Sequence, residues 1–174
     1  MLYKILIIFI TYLFGAIPSG YLIAKLKYNK DLEIVNGKMG TKYVFKNLHF
    51  KASLYTFIMD FLKGFIPLWI IMQLFSNSYY LQSLIIISII IGHNYSIFLN
   101  FKGGKGIASS LGCFSLYPTM LPIMLVTHYL ANELSKINTI YSLIPLLILS
   151  FTAYDPYSYF NAIPFQIRFS SIII

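Results

Sequence analysis

Leu81-Gln82-Ser83-Leu84-Ile85-Ile86-Ile87-Ser88-Ile89-Ile90-Ile91-Gly92-His93-Asn94-Tyr95-Ser96-Ile97-Phe98-Leu99 carries no formal charge along its length. About 20 predominantly apolar residues are enough to cross a bilayer as a helix. A strand of this composition would leave unpaired N–H and C=O groups in lipid, whereas a helix bonds them internally. The stretch therefore predicts a membrane-spanning helix. Four more apolar stretches, residues 2–25, 52–75, 107–131 and 137–153, extend the expectation to an all-α polytopic membrane helix bundle of about five spans.

Composition supports the same class. Of 174 residues, 58% are hydrophobic and only 10% charged, against about 25% charged in a soluble domain. So few charges cannot cover a water-facing surface. The net charge is +8, and such a surplus on one soluble face would attract nucleic acid. Here it is divided among short segments between apolar runs, so no nucleic-acid partner is expected. The single cysteine, Cys113, excludes an intramolecular disulfide. His, Cys and carboxylates show no ligand spacing, so neither a metal nor a cofactor is expected. The first stretch contains Gly15 and Pro18 and runs straight into a lysine-rich segment. It is expected to remain as a span rather than to be cleaved as a leader.

The charges set a topology. Lys25, Lys27, Lys30, Lys38, Lys42, Lys46 and Lys51 crowd the first connection, with Asp31 and Glu33. The second connection, residues 76–80, is uncharged; the third contains Lys102 and Lys105; in the fourth Glu133 and Lys136 cancel. Two spans separate the lysine loops, so they must share a face. Positive loops favour the cytoplasm, which places the N-terminus outside and the tail from Tyr154 inside. One membrane domain, residues 1–153, and an irregular or interfacial tail, 154–174, account for the chain. Small residues recur every four positions at Ala16, Gly20 and Ala24, and again at Gly104, Ala108 and Gly112. That spacing predicts stripes where helix backbones approach closely.

Four constellations could carry chemistry. In Phe101-Lys102-Gly103-Gly104-Lys105-Gly106-Ile107-Ala108-Ser109-Ser110, the glycines free the backbone to bare its N–H groups. A helix starts there, and its N-terminus favours anions. Two lysines and two serines add donors, so a phosphate site and a flexible, lysine-tipped turn are both open. The first loop, around Asn36-Gly37-Lys38-Met39-Gly40-Thr41-Lys42-Tyr43-Val44-Phe45-Lys46, is either a second set of cations for phosphate or a solvated basic loop. Asp60 and Lys63 share a helix face by their spacing and read as a structural ion pair, since charge inside a span must face protein or water. His93 could accept a proton or hold a hydroxyl, or could simply pack.

The order and spacing of separate pieces resemble one family, the bacterial integral-membrane acyl-phosphate–glycerol-3-phosphate acyltransferases. The pieces are Phe14-Gly15-Ala16-Ile17-Pro18-Ser19-Gly20-Tyr21, Asp60-Phe61-Leu62-Lys63-Gly64-Phe65-Ile66-Pro67, Gly92-His93 with Ile97-Phe98-Leu99, and Phe101 to Gly112. They cover roughly residues 10–150. The resemblance implies an enzyme of the bacterial inner membrane, working at its cytoplasmic face among membrane lipids. It would move a fatty acyl group from acyl phosphate to the 1-hydroxyl of glycerol 3-phosphate and release lysophosphatidic acid into lipid. Lys105 and the backbone of Gly103, Gly104 and Gly106 would hold phosphate. His93 or a phosphate oxygen would take the hydroxyl proton. Asn36, Lys38, Lys46, Lys102 and Ser109 complete the implied substrate contacts.

Two departures accompany the resemblance. The family's serine in the first loop falls on Asn36 and its arginine on Lys46; lysine keeps the charge but loses the bidentate fork. Beyond residue 153 there is no histidine, and Arg168 is the one basic residue, where the family has a basic, His/Asn-containing motif. The expectation is a divergent, C-terminally truncated member. Its alternative role is that of a catalytically degenerate homologue serving membrane binding or assembly. A small anion transporter would show mid-membrane polar residues and internal repeats, and neither is evident.

Overall fold

The computed structural model of the chain describes residues 2–30, 40–75, 78–117, 121, 122, 124–126 and 129. All regular structure among them is helical. In chain order it comprises α1 (Leu2–Ala16), α2 (Ser19–Tyr28), α3 (Thr41–Asn47), α4 (Phe50–Leu74), α5 (Tyr79–Asn94), a 3-10 turn (Ile97–Leu99) and α6 (Ile107–Phe114). Phe50–Leu74 and Tyr79–Leu99 are each long and apolar enough to cross a membrane. The bent pair α1–α2 makes a third if counted as one span.

The span expected over residues 2–25 is built from two helices rather than one. It bends by 47° between α1 and α2. Pro18 is the cause: it has no N–H, and its ring clashes with the carbonyl four residues back. The residue before it is pushed out of helical geometry. A second difference lies in 107–131, where α6 stops at Phe114 and the chain turns through Ser115 and Leu116. Pro118 follows closely and disfavours helical continuation through its predecessor. The fifth expected span, 137–153, and the tail, 154–174, lie outside the described residues.

In the apolar span Tyr79–Leu99, which α5 opens, 67% of an 18-residue window is buried, against 33% in α4. α5 is therefore the central helix, and its Ile85, Ile86, Ile89 and Ile90 pack with Leu68 of α4 and Phe114 of α6 into the main apolar cluster. Leu2, Ile5, Leu6, Phe9 and Ile10 of α1 remain exposed, as suits a lipid-facing surface. Close backbone approach joins the helices. Gly15 of α1 lies against the Ile89 backbone and Gly92 of α5 against that of Tyr12. Gly64 of α4 meets the Ser109 backbone, and Gly112 of α6 meets that of Phe61. The expected small-residue stripes are thus partly realised. Ala16, Gly20, Ala24, Ala108 and Gly112 are buried, but the bend splits the first stripe, and Gly104 precedes α6 instead of lying on it.

Candidate active site

The glycine loop folds back onto the end of α5. Asn100 and Phe101 both take left-handed backbone, at φ 52 and 59. The Phe101 N–H bonds the Ser96 carbonyl at 2.8 Å and the Lys102 N–H that of Leu99 at 3.0 Å. A non-glycine residue is held at positive φ only where surrounding structure imposes it; here the two residues reverse the chain. The Gly104 N–H then donates to the His93 carbonyl at 3.0 Å. A Cβ at Gly103 would collide with the His93 and Asn94 carbonyls, and one at Gly104 with the His93 ring at Nε2. These two glycines therefore serve close approach to His93. The Gly104 amide is not bare, as the loop's composition alone suggests, but already bonded. Gly106, at φ 76, opens α6.

His93 is buried and held from two sides. Ser109 Oγ and His93 Nδ1 are 3.1 Å apart, and both side chains are buried. Asp60 Oδ1 lies 3.7 Å from the same nitrogen, beyond a good hydrogen bond but within electrostatic reach. Asp60 is paired with Lys63 Nζ at 2.8 Å, and both are almost fully buried. The i, i+3 spacing on α4 aligns the two. Lys63 also donates to the Ile17 carbonyl at 3.0 Å. Ser96 Oγ donates to the Ala16 carbonyl at 2.5 Å. The carbonyls released by the α1–α2 bend are thereby satisfied from α4 and from the end of α5.

Around these groups lies a small pocket of about 20 Å³ of water-accessible space. Its wall includes Ile17, Ser19 and Gly20 from the bend, Asp60 and Lys63 from α4, and His93, Gly103 and Gly104. Nδ1 lies beside Ser109, and the Nε2 edge of His93 lies against Gly104. Among the described residues no group of three or more His, Cys, Asp and Glu is placed to hold a metal ion.

Of the residues singled out from sequence, His93, Ser109, Gly103 and Gly104 come together here. Gly106 adjoins the Asn94 side chain. Lys102 and Lys105 are exposed on the loop, and Lys46 is exposed on α3. Asn36 and Lys38 lie outside the described residues. Sequence reasoning left Asp60, Lys63, Ser96 and Ser19 out of the site. Charge within a span was the available signal for the first two. Ser19 falls within the Phe14–Tyr21 piece of the family resemblance, and nothing in the local sequence marks Ser96.

The family model described as glycerol-3-phosphate acyltransferase matches residues 5–174. A glycerol-3-phosphate acyltransferase of Endomicrobium trichonymphae is 38% identical over 158 residues, covering 88% of this chain and 78% of that protein. One from Clostridium acetobutylicum is 35% identical over 152 residues, covering 82% and 76%. The crystal structure of PlsY (YgiH), an integral membrane glycerol 3-phosphate acyltransferase, is similar in two forms. Its lysophosphatidic acid form superposes with a TM-score of 0.66 at 29% identity, over 87% of this chain and 78% of that one. Its glycerol 3-phosphate form gives 0.67 at 28%, over 90% and 80%. Fold, motif order and relatives agree that the chain belongs to the glycerol-3-phosphate acyltransferase family.

Proposed function

We propose that this membrane protein transfers a fatty acyl group from acyl phosphate to the 1-hydroxyl of glycerol 3-phosphate, yielding lysophosphatidic acid for phospholipid synthesis. The observation that carries the site reading is His93. Its Nδ1 is fixed on Ser109 and its Nε2 edge is set against Gly104 beside the pocket. An acyl phosphate is already activated as a mixed anhydride, so no covalent enzyme intermediate is needed. The protein must align two anionic substrates and stabilise charge as it develops.

In the tautomer with Nδ1–H donating to Ser109, Nε2 accepts the hydroxyl proton. The glycerol oxygen bonds to the acyl carbon, the C–O bond to phosphate breaks, and phosphate leaves with the electron pair. His93 then returns the proton to it. Lys105 and Lys102, exposed at the start of α6, supply cations where the helix N-terminus already favours anions. Lys46, Lys38 and Asn36 of the first loop contribute further phosphate contacts. The pocket holds room for little more than one water, so the substrates lie outside it and reach into it with a single reacting oxygen atom.

For topology we favour five spans, the N-terminus outside, and both lysine loops on the cytoplasmic face of the inner membrane. Charge alternation between the connections supports this. Residues 1–153 would make up the membrane domain. The decisive experiment supplies the purified chain, in detergent or lipid, with acyl phosphate and labelled glycerol 3-phosphate. Lysophosphatidate should form with the intact chain and vanish with His93→Ala and Lys105→Ala. Binding of labelled glycerol 3-phosphate without any product would leave the non-catalytic homologue as the reading.

A further inference from the structure

Ser19 is the first residue of α2 and is only 3% exposed. Its Oγ has no hydrogen-bond partner, although a buried hydroxyl without one costs free energy. The residue lines the same pocket as His93, Gly103 and Gly104. Gly20, next in sequence, lines it too. Its amide is in the first turn of α2, where no carbonyl within the helix can accept it. The Ser19 N–H is already used by the Ile17 carbonyl and the Leu22 N–H by that of Pro18. The bend at Pro18 has therefore created a helix N-terminus inside the protein, with a buried, unpartnered hydroxyl on a residue of the pocket wall. Such an end carries partial positive charge and favours a negative group.

Size decides what that group is. The pocket offers about 20 Å³, where one water needs ~10–15 Å³ on the same measure. A phosphate group, with its several oxygens, does not fit; a single oxygen does. The Asp60 carboxylate in the wall would oppose any anion, but Lys63 neutralises it at 2.8 Å. One oxygen in the acyl-transfer reaction becomes negative without belonging to phosphate: the carbonyl oxygen of the acyl group.

We propose that Ser19 Oγ and the first-turn amide of α2 at Gly20 form the oxyanion hole for acyl transfer, which makes Ser19 a catalytic residue. This rests on the acyl-transfer reading given above. As the glycerol oxygen bonds to the acyl carbon, the carbonyl π pair moves onto oxygen, and the Ser19 hydroxyl donates to it. When the pair returns, the bond to phosphate breaks and phosphate departs. No atom is gained or lost at Ser19. The hydroxyl strengthens its bond only as charge develops, so it acts on kcat and little on substrate binding.

The test is the steady-state kinetics of the purified full chain with acyl phosphate and glycerol 3-phosphate. Ser19→Ala is expected to lower kcat about 10²-fold, the range for losing one such donor, with both KM values within about twofold. Ser19→Thr keeps the hydroxyl and should restore most of the rate. Ser19→Cys keeps the volume with a weak donor and should lose it, which guards against an alanine variant that fails to fold. A wild-type chain that turns over while Ser19→Ala and Ser19→Cys stay within threefold of it overturns the role of Ser19 alone. Loss through raised KM with kcat intact also overturns it. A wild-type chain with no turnover overturns the acyl-transfer reading and the oxyanion hole together.

Discussion

Lys63 donates a 3.0 Å hydrogen bond from Nζ to the main-chain carbonyl of Ile17, tying the middle of α4 to the bend between α1 and α2. The same ammonium neutralises Asp60 at 2.8 Å. A cation on the carbonyls at a helix end satisfies acceptors that the broken helix cannot. Lys63→Met removes both contacts and strands a buried carboxylate. Breaking one partner of a buried pair costs about 3–5 kcal/mol, so the variant should unfold at clearly lower temperature in detergent. Asp60→Asn combined with Lys63→Met removes the stranded charge and should recover part of the loss. Equal midpoints for the single and double variants would mean that the ion pair is not the source of the effect.

Helix contact through glycine gives a separate expectation for stability. A Cβ at Gly64 would strike the Ser109 backbone, and one at Gly112 the Phe61 backbone. Backbone cannot rotate aside as a side chain does, so the helices must separate. Gly64→Ala and Gly112→Ala should each destabilise by about 1–3 kcal/mol, as overpacking does. Gly40, at the start of α3, has nothing within 4 Å of its missing Cβ and a negative φ of -78. Gly40→Ala should therefore stay within about 0.5 kcal/mol of the parent. Thermal unfolding of the three variants in one detergent separates close packing from a general intolerance of glycine replacement.

The contrast between these glycines shows how far the sequence could be read. Apolar length located α4 and α5 to within a few residues, because burial in lipid depends mainly on composition. The break at Pro18 lay in plain sight, yet its consequence was not legible. A proline inside a span can be carried through, as Pro67 is within α4, or can split the helix, and tertiary partners for the freed carbonyls decide which. The glycine loop was legible as a motif, but its work was not. Composition suggested bare amides for phosphate; the Gly104 amide is bonded to the His93 carbonyl, and both Gly103 and Gly104 lie against His93. The pairing of His93 with Ser109 joins residues 16 positions apart on different helices, and no local pattern encodes it. Asp60 and Lys63 stood out as charges inside a span, but only the packing of α4 against α5 and the bend gives them a place at the site.

Gly104 provides a direct probe of His93 without touching the histidine. An alanine methyl there would overlap His93 Nε2, so the ring must turn away from Ser109 or the loop must lift. Either movement would misalign His93, the proton acceptor proposed above. A positioned general base contributes about 10²–10⁴-fold, and Gly104→Ala should lose a large part of that in kcat while the protein still elutes as the parent does. Ser109→Ala, which releases Nδ1 without crowding Nε2, should lower kcat by a smaller factor. A Gly104→Ala variant with parental kcat would exclude His93 as the acceptor and leave a phosphate oxygen in that role.

Side-specific labelling tests the shared face of the lysine loops. Cys113 is the sole cysteine and is buried, so Cys113→Ala gives a clean background. Lys27 at the end of α2 and Lys102 in the glycine loop are exposed, and Tyr80 at the start of α5 is 75% exposed. Between Lys27 and Lys102 lie α4 and α5, two helices long and apolar enough to cross a membrane, which would make an even number of crossings. Lys27→Cys and Lys102→Cys should therefore react with a membrane-impermeant maleimide from the same side, and Tyr80→Cys from the other. Because lysine-rich loops are retained in the cytoplasm, the first two should label in inverted vesicles and the third in intact cells. Labelling of Lys27→Cys and Lys102→Cys from opposite sides would rule out two complete crossings by α4 and α5 and separate the loops that the acyl-transfer site needs together. Labelling of both in intact cells would preserve the site and invert its orientation.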